Sequence, residues 1–282
     1  MRALTPFSRL ILVFISLLLS GAAIAGSKII ATGGVTTIEG NAGGGIVPWA
    51  VINGYASSDE WSVLAFGSRA QVDDFSLNVA GVALSFDNNW EFSYARQQFK
   101  LDTLGGELRQ DIFSVKYHLA GELLYTAMPQ ISVGIQHKRH LDFDLPQAVG
   151  ARSASGTDVY LAASKLLFHQ VAGRNLLLNG TIRATKANQT GLLGFGSAQD
   201  NDYQLLFEGS AALLLNYNWA IGAEFKQKPN QLGFANEQHW RDIFVAWFIN
   251  KHVSATAAYV DLGSIAGLGK QRGLYFSVEA TW

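Results

Sequence analysis

The sequence predicts an all-β chain, a transmembrane antiparallel up-and-down β-barrel of about 12 strands, with 14 as the alternative. Three observations predict it. Beyond an N-terminal leader the chain divides into segments of roughly ten residues, the length a tilted strand needs to cross a bilayer. The links between them alternate short and long. The chain also closes on GLYFSVEATW, with Leu274, Phe276, Val278, Ala280 and Trp282 on one face. Tyr275, Ser277, Glu279 and Thr281 take the other face, a period-two pattern that suits a different solvent on each side.

The leader has Arg2 and Arg9, an apolar run from Leu10 to Leu19, and the exit Ala23-Ile24-Ala25. That is the pattern of a signal peptide, so residues 1–25 are expected to be cleaved and Gly26 to become the first residue. The apolar core is too short for a membrane anchor, and no later stretch of 18 apolar residues lacks a polar break, which excludes spanning helices. The remaining 257 residues hold 19 basic and 22 acidic side chains, a net charge of −3. That balance argues against nucleic acid as a partner. There is no cysteine, so neither a disulfide nor an acylated cysteine can staple or anchor the chain.

Residues 59–282 form the barrel in this reading. The segments are 61–70, 75–86, 89–99, 108–119, 129–139, 158–168, 175–186, 203–216, 218–228, 240–250, 252–262 and 273–282. Short links such as Asp87-Asn88, Tyr217 and Lys251 alternate with long glycine-rich or polar ones such as 140–157, 187–202 and 263–272. Short turns on the periplasmic side and long loops outside are the habit of outer-membrane barrels. Trp61, Trp90 and Trp219 begin upward strands and Trp282 ends the last downward one, giving a periplasmic aromatic girdle at one interface. Backbone groups in hydrocarbon need partners, so the sheet must close. GLYFSVEATW is therefore expected to be the closing strand, and it resembles the C-terminal signal by which outer-membrane proteins are recognised for assembly.

Residues 26–58 are glycine-rich and carry Pro48 in their most strand-like part. Clustered Gly and Pro weaken a strand assignment, so the segment is read as a plug or lumen lining, with two extra strands as the alternative.

GGGIVPWAVINGY (43–55), SYARQQF (93–99), LRQDIFSVK (108–116), TIRATKANQTGLLGFG (181–196) and WRDIFVAWFINKHVSATAAYVDLG (240–263) are similar to a proteobacterial family catalogued as domain of unknown function 3034. The likeness covers nearly the whole chain beyond the leader. It implies an outer-membrane barrel and carries no activity or ligand residues with it.

Strand parity sorts the charges. With Trp90, Phe92 and Tyr94 toward lipid, Glu91 points inward, and the same argument places Lys116, Arg183, Glu208, Glu224, Lys226 and Glu279 in the lumen. A mixed lining of this kind either pairs to structure the interior or sets the potential of a weakly selective pore. Lys165 falls on the lipid face, where a cation near the midplane costs about 2–4 kcal/mol. Snorkelling to the periplasmic interface or a parity-reversing bulge are the two ways out. HKRH (137–140) reads as a basic outer rim meeting lipopolysaccharide.

No cofactor or metal site is expected, and no histidine sits mid-strand beside a nucleophile, so an enzyme is not expected. The expected function is a porin-like passive channel for small polar or amphipathic solutes in the outer membrane of a Gram-negative bacterium. The alternatives are a plugged structural or adhesive barrel and, third, a barrel-borne hydrolase. Expected partners are outer-membrane lipid and lipopolysaccharide, with periplasmic chaperones and the barrel-assembly machinery during export; a monomer is expected.

Overall fold

A computed structural model describes residues 28–282; the expected signal peptide and its cleavage point lie outside the described residues. Twelve antiparallel strands close into one barrel. In chain order they are β1 Trp61–Val72, β2 Phe75–Phe86, β3 Trp90–Leu101, β4 Glu107–Ala120, β5 Gln130–His140 and β6 Ser155–Val171. Then follow β7 Arg174–Thr185, β8 Gln204–Leu214, β9 Trp219–Lys226, β10 Trp240–Phe248, β11 Val253–Asp261 and β12 Arg272–Thr281. Each predicted segment corresponds to one strand, with ends moved by a few residues.

Closure is made by β12 on β1, in register from Gly273↔Val72 to Thr281↔Leu64. Trp282 extends the seam, its N–H and C=O each 2.8 Å from the backbone of Val63. The 14-strand alternative is thereby excluded: with β12 already paired to β1, no edge remains for residues before Trp61 to join. Through the middle of the strands buried and exposed residues alternate, most regularly in β3, because successive side chains point to opposite faces.

On the short-link side, β2 and β3 join through Asp87 and Asn88, both at positive φ (56° and 52°), the geometry of a tight hairpin turn that matches strand twist. Trp61 packs on Phe86 and Trp90 on Tyr117, with ring centroids 4.3 and 4.4 Å apart. Trp219 stacks on Trp247 at 5.3 Å. All three tryptophans are exposed on the outer wall, and Trp282 is half-buried beside Val63. Leu274, Phe276 and Val278 are exposed outward as well. Ala280 departs from them. It keeps their parity but is buried, its methyl lying between the cross-strand neighbours Val253 and Ala65.

Lys165 also faces outward, and its register with Leu178 is continuous, so no bulge reverses parity there. The long inner link instead folds against it. Lys165 Nζ donates to the carbonyls of Glu122 (3.1 Å), Leu124 (3.3 Å) and Thr126. Leu166 N–H donates to Leu123 O at 3.0 Å, so residues 121–128 stand in for the missing neighbour where β6 outruns β5. The cation is thus met by three backbone carbonyl dipoles.

Candidate functional site

Residues 33–56 are buried without exception, and they are buried inside the barrel. The segment makes one two-residue ladder of its own, Val35–Thr36 against Ala42–Gly43. Its other backbone polar groups bond partly within the segment, as Ile38 N–H does to Gly45 O and Trp49 N–H to Ala42 O, and partly to inward side chains of the wall, as buried backbone donors and acceptors must find partners.

The centre is Glu39. Its carboxylate meets Lys138 Nζ of β5 at 2.5 Å, Arg183 Nη2 of β7 at 3.0 Å and Lys226 Nζ of β9 at 3.1 Å. Asp158 of β6 adds contacts to Lys138 (2.8 Å) and Arg183 (3.3 Å), and Glu208 of β8 takes Arg183 Nε at 2.5 Å. Three carboxylates thus balance three cations, all essentially inaccessible to water. A buried charge persists only when paired and hydrogen-bonded. Removing Glu39 would leave the wall one positive charge in excess, so wall and segment complete each other.

A second anchor joins Glu91 and Lys116. Glu91 accepts from Ala42 N (3.2 Å) and Asn53 N (2.8 Å), while Lys116 Nζ donates to Val51 O (2.9 Å), Ala42 O (3.3 Å) and Glu91 itself (3.2 Å). Glu224 accepts from Ile46 N at 2.8 Å, and Glu279 from Thr36 N at 2.9 Å and Thr36 Oγ1 at 2.6 Å. Pro48 O receives Thr181 Oγ1 at 2.8 Å and Ala50 O receives Gln130 Nε2 at 2.9 Å. Pro48, which cannot serve a strand ladder as a donor, serves here as an acceptor.

All seven inward charges read from strand parity lie inside the barrel and are buried. Six touch the segment directly; Glu208 acts on it through Arg183. Sequence parity did not find Glu39, Lys138 or Asp158. Lys138 was read as part of a basic outer rim, but it points inward to Glu39, and His140 is buried with its ring 2.8 Å from Leu192 O. Only His137 and Arg139 of that tetrad are exposed, because alternation divides four consecutive residues between two faces. The strict alternation of β5 was the signal that would have placed Lys138.

Toward the outer side, Ile38 and Ile46 pack among Phe75, Phe99, Trp240 and Tyr275. The small gap between them is lined almost wholly by apolar side chains. Above it the outer loops converge on Lys228. Its Nζ meets Glu237 Oε2 (2.9 Å), Gln189 Oε1 (3.1 Å) and Ser264 O (2.8 Å). Burial pulls this ammonium down to about 8, with Glu237 opposing the shift. Among the described residues, no three His, Asp or Glu side chains are grouped so as to hold a metal ion.

Comparison with solved structures finds barrels. The outer membrane protein Omp33 of Acinetobacter baumannii is 10% identical, with 80% of this chain and 100% of that chain covered and a TM-score of 0.46. The KdgM porin is 10% identical over 78% and 99% of the two chains, with a TM-score of 0.47. An outer membrane channel from Pseudomonas putida F1 is 10% identical over 79% and 95%, with a TM-score of 0.48. No curated protein sequence matches the chain. Residues 32–279, which include both the buried segment and the barrel, match the family described as protein of unknown function (DUF3034), and the chain belongs to that family.

Proposed function

We propose that the protein is an outer-membrane channel of a Gram-negative bacterium, exported with a cleaved signal peptide and closed at rest by residues 28–58. A small polar or amphipathic solute passes when that segment shifts. The observation that carries the reading is the bonding of Glu39 to cations from three separate strands. The inward charges that would line an open pore are here spent on the segment, so opening exposes Lys138, Arg183, Lys226 and Glu208 to the path as a polar lining. The segment is attached through hydrogen bonds and ion pairs, which water and ions can replace, rather than through a continuous sheet.

Reaction chemistry is not part of this proposal. His118 is bound to Asn89 Oδ1 and to the carbonyls of Ala120 and Gly121, and His140 to a backbone carbonyl, so neither is paired with a nucleophile. The second reading, a permanently plugged structural barrel, is favoured by the same density of contacts around Glu39. Planar-bilayer recording separates the two. The channel reading predicts that the chain from Gly26 is silent at rest and that the chain lacking residues 28–58 conducts in discrete, weakly selective steps. A shortened chain that folds and stays silent overturns it.

A further inference from the structure

The outer wall is not uniform. On β8, β10 and β12 the outward side chains are apolar through the middle of the strand, as with Phe207, Ile243, Val245, Phe276 and Val278. Charges there, such as Arg241 and Arg272, stand at the outer strand ends. On β1 and β3–β5 the pattern is different. Arg69, Arg96, Lys100, Arg109 and Arg139 all point outward and are exposed; Lys100, Arg109 and Arg139 stand within two residues of their outer strand ends, whereas Arg69 and Arg96 lie further in. Arg96 lies five residues inside the outer end of β3, roughly 12 Å below it along the barrel axis for a tilted strand.

These residues are ordered by the sheet. Arg96, Asp111 and Arg139 are successive cross-strand partners on β3, β4 and β5. Asp111 grips Arg96 with two bonds, Nε to Oδ1 at 2.7 Å and Nη2 to Oδ2 at 2.9 Å, and accepts Tyr94 Oη at 2.9 Å. That fixes the Arg96 guanidinium while leaving its other edge exposed. Arg139, across Asp111, has no ion pair within 4 Å among the described residues. The two side chains rise from strands about 10 Å apart, close enough for two long arginines to lean onto one anion. One neighbouring row carries Arg69, Asn78, Gln98 and Arg109 across β1 to β4, all donors of hydrogen bonds to phosphate or sugar oxygens.

We propose that the outward rows of β1–β5 bind a phosphorylated glycolipid of the outer leaflet, its phosphate seated between Arg96 and Arg139. Asp111 meets Arg96, but the row Arg96, Asp111 and Arg139 keeps one positive charge in excess, and a cation on a lipid-facing wall is disfavoured unless an anion meets it. The outer leaflet of this membrane supplies one at that depth, a glucosamine phosphate with acyl chains to cover the apolar wall below. Asp111 acts as the positioning residue, holding Arg96 for a second, bidentate partner. This site is on the opposite face of the wall from the lumen and is independent of the channel proposal.

The test is native mass spectrometry of the folded chain with diphosphoryl lipid A and, separately, with lipid A stripped of phosphate. The expected result is one retained lipid A, bound at least about tenfold more tightly than the stripped lipid, with that preference lost in Arg96→Gln/Arg139→Gln. Arg241→Gln, which removes an outward charge elsewhere, keeps it. Heat-modifiable gel migration confirms that each variant is folded. Equal retention of the two lipids by the unaltered chain overturns the proposal, as does undiminished preference in the double variant. Displacement of the lipid by millimolar inorganic phosphate, or a dimer that excludes lipid A and is broken by the double variant, also overturns it.

Discussion

Glu39 and Arg183 are 144 positions apart in sequence and 3.0 Å apart in space. The contact joins a glycine-rich segment with no periodicity to the seventh strand of a barrel. Neither residue is stable alone where it lies: each is a charge out of reach of water, and each supplies what the other lacks. Because Arg183 also holds Glu208 and Asp158, the pair is the centre of a neutral group of six charges rather than an isolated bridge.

Glu39→Gln keeps the shape and removes the charge. Breaking one member of a buried ion group costs about 3–5 kcal/mol, since its partners are left uncompensated. The variant is expected to unfold at lower guanidinium concentration, with an unfolding free energy reduced by that amount, and to show frequent openings in bilayers. Pairing it with Lys226→Met, which restores charge balance, is expected to recover part of the loss; strict additivity of the two costs would contradict a shared network.

Gly43→Ala tests the segment without touching a charge. A Cβ at Gly43 overlaps the carbonyl oxygen of Val47 and approaches the Thr37 side chain, and the backbone there has no slack inside the lumen. The expected outcome is a barrel with unchanged far-ultraviolet circular dichroism whose segment is cut by protease added from the periplasmic side. Resistance equal to that of the unaltered chain would mean the segment tolerates repacking.

Lys228 makes the outer loops pH-sensitive. Docked, it titrates at about 8; released into water it returns toward 10.5, its ordinary value. Between those values the released loop binds more protons than the docked one, so docking strengthens as pH rises through that window and the burial cost is fully present below it. Protease resistance of residues 229–239 is expected to increase from pH 7.5 to 10. Lys228→Met is expected to be flat across the same range, and an equal slope in both would assign the effect elsewhere.

Lys165→Met removes the cation that gathers three carbonyls. Charge-assisted bonds of this type are worth about 2 kcal/mol in favourable settings. The loop 121–128 is expected to become protease-sensitive, while the barrel itself stays folded, as read by gel migration. A loop that remains protected would show that the Leu166–Leu123 backbone bond is enough.

The strands were legible because a membrane barrel writes its solvent on every second residue. β2, for example, was read with its observed bounds. The inward charges were legible for the same reason, and so was closure by β12. Residues 33–56 lack that signal: they face wall side chains on all sides, so no alternation develops, and Pro48 is held by Asn179 and Thr181, more than 100 positions away. Lys165 was legible as a problem but not as a solution, since its partners are backbone carbonyls, which every sequence contains. Lys138 is misplaced by sequence because the outer end of a strand suits a solvated rim, and Glu39, the partner that holds it inside, lies in the segment without periodicity.

Residues 33–56 fill the lumen, and they are expected to do so in the native membrane. Ala50 N donates to Ser164 Oγ at 2.8 Å, and the chain has no cysteine of its own. Ala50→Cys/Ser164→Cys in intact outer membranes is expected to form a disulfide, keep bilayers silent, and release conductance on reduction when combined with Glu39→Gln. Failure of the two thiols to join in a folded barrel would contradict the account at its base.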